Sequence, residues 1–343
     1  MYRATVLAAF SSLAVPLLLS GCSVGGDSPD VNRVPTPSVA TTAPSDTAGG
    51  DKGTESVPDP VRYAAPMPSV SGPVGGKAEI RLPSGRPSGK FVVSTVVKGT
   101  GAVVRRTDWV TVRYSAENWT ARKSVPGAYQ LTQAGSGKLL PAFEEALIGR
   151  RVGSRVLVVA PPAAAFGGRG SSTLGVGAGA TVVFAIDIVA DTPAATVLTG
   201  PHTAPPAGMP QVRVKGKAAP TITPVKGASA PRKLRRAVIF PGDGPTVRAG
   251  QAVLAQVTYA GWKDGKVYES TLQHGGATAF RVGENKVIKA MDLGIVGQRV
   301  GSRVELAVPP DMVNGGHTWR HAPPGTPLVF VIDILHAVKC KLP

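Results

Sequence analysis

Side chains that could do acid–base, metal or phosphate chemistry are few in this sequence, and most stand in poor surroundings for it. His317 and His321 are four apart, a spacing that can put two imidazoles on one metal, but they sit in a Gly-rich stretch rather than on an evident helix. No metal site is therefore expected. Gly135-Ser136-Gly137-Lys138 has the outline of a phosphate loop, yet Leu139 follows where a Ser or Thr hydroxyl is needed. Gly21-Cys22-Ser23-Val24-Gly25 fits the spacing of a hydrolase elbow without a strand and helix around it. Glu144 and Glu145 are adjacent acids, expected on a helix exterior near its N-terminus, where the dipole favours them. No cofactor is expected. The aromatic residues, only 5% of the chain, fall mostly on strand-like segments, where the first expectation is core packing.

Cys22 stands apart. Arg3 gives a short basic start, residues 4–19 are uncharged and mostly apolar, and Leu19-Ser20-Gly21-Cys22 follows. The apolar run is shorter than the about 20 residues of a membrane span. The pattern resembles a bacterial lipobox, in which cleavage precedes the Cys and its thiol takes a lipid. The expectation is a signal peptide over residues 1–22 and lipidation at Cys22. The protein would then be anchored on the extracytoplasmic face of the cell membrane. Residues 23–66 are rich in Pro, Ser, Thr, Gly and Ala with no periodic apolar face, which predicts an unfolded tether. Cys340 has no assignable role.

The elements that must position any site repeat. Gly-Arg-Arg-Val-Gly-Ser-Arg at 149–155 reappears as Gly-Gln-Arg-Val-Gly-Ser-Arg at 297–303, an offset of 148. The same offset aligns Leu139, Leu140 and Phe143 with Val287, Ile288 and Met291. Tyr114 finds Tyr259, Val-Phe at 183–184 finds Val-Phe at 329–330, and Met67-Pro68 finds Met209-Pro210. A period this long is a duplicated domain. Each copy predicts a strand ending at the Tyr, then a short helix (141–148; 289–296) stopped by Gly149 or Gly297. Strands follow over 155–160 and 303–308. In the last strand Val182, Phe184, Ile186 and Ile188 share one face, as do Leu328, Phe330, Ile332 and Ile334. The predicted class is α+β, with a curved antiparallel β-sheet wrapped around one short α-helix in each of two domains. They span 67–191 and 209–338, with a linker over 192–208 and a tail over 339–343.

At this point the pattern resembles the FKBP-type peptidyl-prolyl isomerase family. Copy two carries Val257-Thr-Tyr259-Ala-Gly261, Asp264-Gly-Lys-Val-Tyr268-Glu269-Ser270, Phe280-Arg-Val-Gly283, Val287-Ile288, Pro309-Pro-Asp311 and Pro323-Pro-Gly-Thr-Pro-Leu-Val-Phe330 in order. Copy one resembles it more loosely. The resemblance implies prolyl isomerisation, which needs no nucleophile. Amide resonance sets a barrier of about 18–20 kcal/mol to rotation. A twisted amide is less polar than a planar one, so an apolar aromatic pocket favours the transition state.

The resemblance places Tyr259, Tyr268, Glu269, Met291, Tyr114 and Phe143 as catalytic residues. It places Phe280, Val287, Ile288, Phe330, Leu139, Leu140, Phe166 and Phe184 around the bound segment. Three positions of copy two depart from the family. Met291 replaces the usual Trp floor, Glu269 replaces Asp, and Asn314 stands where a Tyr is usual. In copy one the aromatic–acid pair is lost, and Trp119 is expected to fill some of that gap. The implied partners are proline-containing unfolded or secreted polypeptides, engaged by a monomer. Two readings stay open: an isomerase, or a non-catalytic chaperone or peptide-binding lipoprotein that kept the fold. The net charge of +17 adds attraction to anionic surfaces, and with so few aromatics no nucleic-acid partner is expected.

Overall fold

The computed structural model describes residues 56–314 and 321–339. The expected signal segment, Cys22, His317 and Cys340 lie outside the described residues, as does the side chain of Asn314. Domain one contains β1 (Ser69–Ser71), β2 (Glu79–Arg81), β3 (Val92–Val97), β4 (Trp109–Asn118), β5 (Lys123–Gln133), α1 (Pro141–Leu147), β6 (Arg155–Ala160) and β7 (Val182–Thr192). Domain two contains β8 (Gln211–Arg213), β9 (Thr221–Thr223), β10 (Arg235–Phe240), β11 (Ala252–Gly261), β12 (Val267–Ser270), β13 (Thr278–Arg281), α2 (Lys289–Ile295), β14 (Arg303–Val308), α3 (Asp311–Asn314) and β15 (Leu328–Val338). The sheet orders are β3-β6-β7-β4-β5 and β10-β14-β15-β11-β12, with β13 also pairing β11, and every pairing is antiparallel. The duplication read from the offset is therefore structural.

One helix packs on the inner face of each sheet. Both start without a side-chain cap, and α1 uses Pro141 at its first turn. Gly149 (φ 77°) and Gly297 (φ 87°) follow each helix in the left-handed region, where a side chain would be strained. Every residue of β6 is buried, because both faces are covered. Val156, Val158 and Ala160 join the core around α1, with Val182, Phe184, Ile186 and Ile188 from β7. Leu157 and Val159 face the other way, onto Trp119 and Val183. A strand buried on both faces reads as a continuous apolar run rather than an alternation.

The cover on that outer face is a second repeated feature. In domain one the β1–β2 hairpin brings Met67, Val70, Ile80 and Leu82 against Trp119, whose indole N–H donates to Gly85 O at 3.2 Å. In domain two the β8–β9 hairpin and its flanks bring Met209, Val212 and Ile222 against Trp262. Trp119 therefore does not fill the pocket gap as expected; it lies on the opposite face of the sheet. The expectation of an unfolded segment running to residue 66 does not hold at Val61. Val61 pairs with Val92, donating its N–H to Phe91 O at 2.8 Å and accepting from Val93 N at 2.9 Å.

Each outer face holds one buried ion pair at matching positions. Arg155 forks onto Asp187 and also donates to the carbonyls of Ser71, Gly72 and Pro73. Arg303 forks onto Asp333 and donates to Leu198 O, while Leu198 N–H returns to Asp333. Every charged atom is thus engaged, and the guanidinium ties the incoming chain to the sheet. Residues 192–208 consequently lie along domain two: Ala194 O accepts from Gln256 Nε2 and from Ala277 N.

The two domains also meet directly. Leu131 of β5 packs with Ala252, Leu254, Ala277, Ala279 and Val338, flanked by Trp109 and Tyr129. Trp109 donates its indole N–H to Ala277 O at 2.8 Å, and Thr111 Oγ1 lies 3.1 Å from His336 Nε2. Burial holds the His336 imidazole below the ordinary histidine range.

Candidate functional site

In domain one the inner face of the sheet brings three aromatic rings together. Tyr114 comes from β4, Phe184 from β7 and Phe143 from α1. Their centroids are 5.1 Å (Tyr114–Phe143), 5.3 Å (Phe143–Phe184) and 6.2 Å (Tyr114–Phe184), all edge-to-face. That geometry sets the positive ring edge against the negative face of a neighbour. Phe143 and Phe184 are buried and form the floor. Tyr114, Leu139, Leu140 and Phe166 are half-buried against the same core, so an apolar, partly open surface remains above it. Burial raises the Tyr114 phenol above its ordinary value, which keeps it a neutral donor. Among the described residues its hydroxyl has no hydrogen-bond partner. A separate open groove of about 1000 Å³ runs between the β2 cover and strands β4 and β5, lined among others by Lys77, Glu79, Arg81, Arg113, Glu117 and Lys339, and shares only Tyr114 with the aromatic surface.

In domain two the corresponding residues also converge, but they are closed in. Tyr259, Phe280, Val287, Ile288, Met291 and Phe330 are all buried in one cluster, with Tyr268 half-buried at its edge. Tyr259 stacks on Phe330 at 5.3 Å and on Tyr268 at 6.4 Å. Lys266 Nζ sits 5.8 Å from the Tyr268 ring centre. The Tyr259 hydroxyl donates to Glu269 Oε2 at 2.9 Å, and Glu269 is itself buried. Met291 lies beneath, where domain one has Phe143. The strand register explains the lost acid in domain one: Tyr259 faces Glu269 across β11–β12, whereas Tyr114 faces Ala128 across β4–β5.

One pair of positioning residues escaped the sequence reading. Glu144 does not sit idle on the helix exterior. Its carboxylate accepts from Gly135 N at 2.6 Å and Gly137 N at 3.3 Å. Asp292 of α2 accepts from Gly283 N at 2.7 Å and Asn285 N at 2.9 Å. Each helix thus clamps the turn that delivers Leu139-Leu140 or Val287-Ile288. The signal was available, since all three positions obey the offset of 148. The apparent phosphate loop at 135–138 is part of this clamped turn.

Comparison with known proteins agrees with this geometry. The model of the FKBP-type peptidyl-prolyl cis-trans isomerase family matches residues 101–189 and 244–335, more than half of the chain. An FK506-binding protein of Streptomyces anulatus is 32% identical over 111 residues, which is 32% of this chain and 90% of that protein. A probable FK506-binding protein of Corynebacterium glutamicum is 31% identical over 108 residues, covering 32% of this chain and 90% of its own length. A crystal structure of the three FKBP domains of wheat FKBP73 aligns over 73% of this chain and 96% of that one, at 18% identity and a TM-score of 0.31.

Proposed function

This chain belongs to the FKBP-type peptidyl-prolyl cis-trans isomerase family and carries its domain twice, and from that premise we propose that it isomerises X-Pro bonds in domain one. The observation that carries the reading is the half-open surface of Tyr114, Leu139, Leu140 and Phe166 above Phe143 and Phe184. A proline ring entering it leaves water for an apolar floor. The twisted amide loses less hydration there than the planar one, so the barrier falls. The Tyr114 hydroxyl, which has no partner among the described residues, donates to a carbonyl of the bound segment. In domain two the same positions are buried and the Tyr259 hydroxyl is already held by Glu269, so that domain is assigned a supporting role.

The clients we propose are proline-containing unfolded or secreted polypeptides, met by a monomer lipid-anchored through Cys22 on the outer face of the membrane. A non-catalytic chaperone is the second reading; Ala128 opposite Tyr114 and Met291 in the domain-two floor favour it. The test is an isomerisation assay on a Phe-Pro peptide, with the chain from Ser23 onward. The expected result is acceleration that Phe143→Leu greatly reduces and Tyr268→Ala leaves unchanged. No acceleration, with aggregation of an unfolded client still suppressed, would leave the chaperone.

A further inference from the structure

The cover hairpin of domain two differs from that of domain one in charge. No Asp or Glu occurs between Asp191 and Asp243. Within that span Arg213, Lys215 and Lys217 lie on or just after β8, and Lys226 follows β9. The run Arg232-Lys233-Leu234-Arg235-Arg236 then leads into the edge strand β10. All eight basic side chains are exposed. The corresponding cover of domain one carries Glu79 among its basic residues. Two of the eight are also tied to neighbouring segments: Arg235 donates to the carbonyls of Ala207 and Gly208, and Arg236 to that of Leu293.

One aliphatic tip stands among the hairpin's charges: Val225, which precedes Lys226 and is 37% exposed. Val238 and Leu293, 39% and 52% exposed, lie with Arg236 on the helix side of β10, away from the hairpin. No Phe, Tyr or Trp occurs in residues 211–236. Nucleic acid has little use for exposed aliphatics and is commonly gripped by aromatic stacking. An anionic bilayer rewards both features: headgroups draw the cations, and the boundary region takes small apolar tips.

We infer that the β8–β9 hairpin and the basic run that leads from it into β10 form a docking face for an anionic phospholipid bilayer. The face does not depend on Cys22 or on catalysis. It would hold domain two against the membrane, with domain one carried beside it through the Trp109–Ala277 contact.

The cores of both domains draw only on residues 64–338, so the chain from Ser23 onward keeps them and lacks the apolar leader. Its flotation with vesicles of phosphatidylglycerol and phosphatidylcholine, and with phosphatidylcholine alone, tests the inference. The variant joins K215Q, K217Q, K226Q, R232Q and K233Q, residues whose side chains hold no hydrogen bond among the described ones. The control joins R62Q, R86Q, K90Q, K98Q and R106Q, which removes equal charge from domain one. Each basic group near an anionic surface contributes about fivefold to binding. The hairpin variant should lose roughly a hundredfold or more of its affinity for the anionic vesicles, and the control far less. Equal losses in both would mean bulk charge alone and overturn the inference. So would equal binding to both vesicle types, or binding to inorganic polyphosphate with none to anionic vesicles.

Discussion

Replacing Glu305 with Leu should stabilise domain two, and the gain should grow as pH rises. Glu305 lies on β14 between Arg303 and Ala307, facing the cover hairpin, and is fully buried. Among the described residues neither carboxyl oxygen has a hydrogen-bond partner. Removal from water pushes its pKa from 4.5 to about 8, and the nearby Arg235 guanidinium offsets only part of that. The matching residue of domain one is Leu157, buried against Trp119. In the unfolded chain Glu305 ionises near 4.5, while in the fold it holds its proton to about pH 8. The native state therefore binds more protons across that window, and stability falls as pH rises through it. Taken at face value the displacement corresponds to at most roughly 5 kcal/mol at its upper end, less whatever water entry relieves. Below the window the neutral carboxyl still lacks a partner, at a cost of about 1–3 kcal/mol. Denaturant unfolding of wild type and Glu305→Leu at both ends of the window gives the difference directly. The variant should be the more stable at each end, with the larger gap at the alkaline end. A destabilised variant, or a gap that shrinks with pH, would mean that the carboxylate is ionised and paired in the fold, and would refute the reasoning.

Two further outcomes follow from the clamps and the ion pairs. Glu144→Gln keeps the shape but removes the charge that holds Gly135 and Gly137, so it should raise KM of the proposed isomerisation several-fold and cost about 1–3 kcal/mol of stability; steady-state kinetics and thermal unfolding read the two effects. Asp333→Asn leaves Arg303 buried without its counter-charge and should destabilise domain two by about 3–5 kcal/mol, measured by denaturant unfolding.

Much of this fold was legible because it is written twice. The offset of 148 located both helices to within a residue and the strands at 155–160 and 303–308 at their observed limits. The inward alternation of β7 and β15 was read correctly because one face of each packs on a helix. The covers were not legible. Their strands are only three residues long and set among Pro and Gly, so they carry no periodic signal. Met67 and Met209 were their only trace. Trp119 was misplaced for the same reason: an aromatic at a strand end declares burial but not the face on which it is buried. The pocket residues were named from a family resemblance, and the structure gathers them in both domains. Their unequal exposure could not be read from residue types, because it depends on how tightly the surrounding loops close.

The covers also impose an order in time. Met67, Val70, Ile80 and Leu82 precede in the chain the surface that shelters them, and that surface is complete only when Trp119, Leu157 and Val183 have been made. Closing a loop of that length has an entropic cost, which only the finished sheet can repay. A chain emerging N-terminus first must therefore carry a bare apolar hairpin through the synthesis of nearly a whole domain, and then do so again with Met209 and Ile222. If the proposed clients are right, a protein that receives the unfinished apolar segments of other chains passes through that same exposed state twice on its own way to folding.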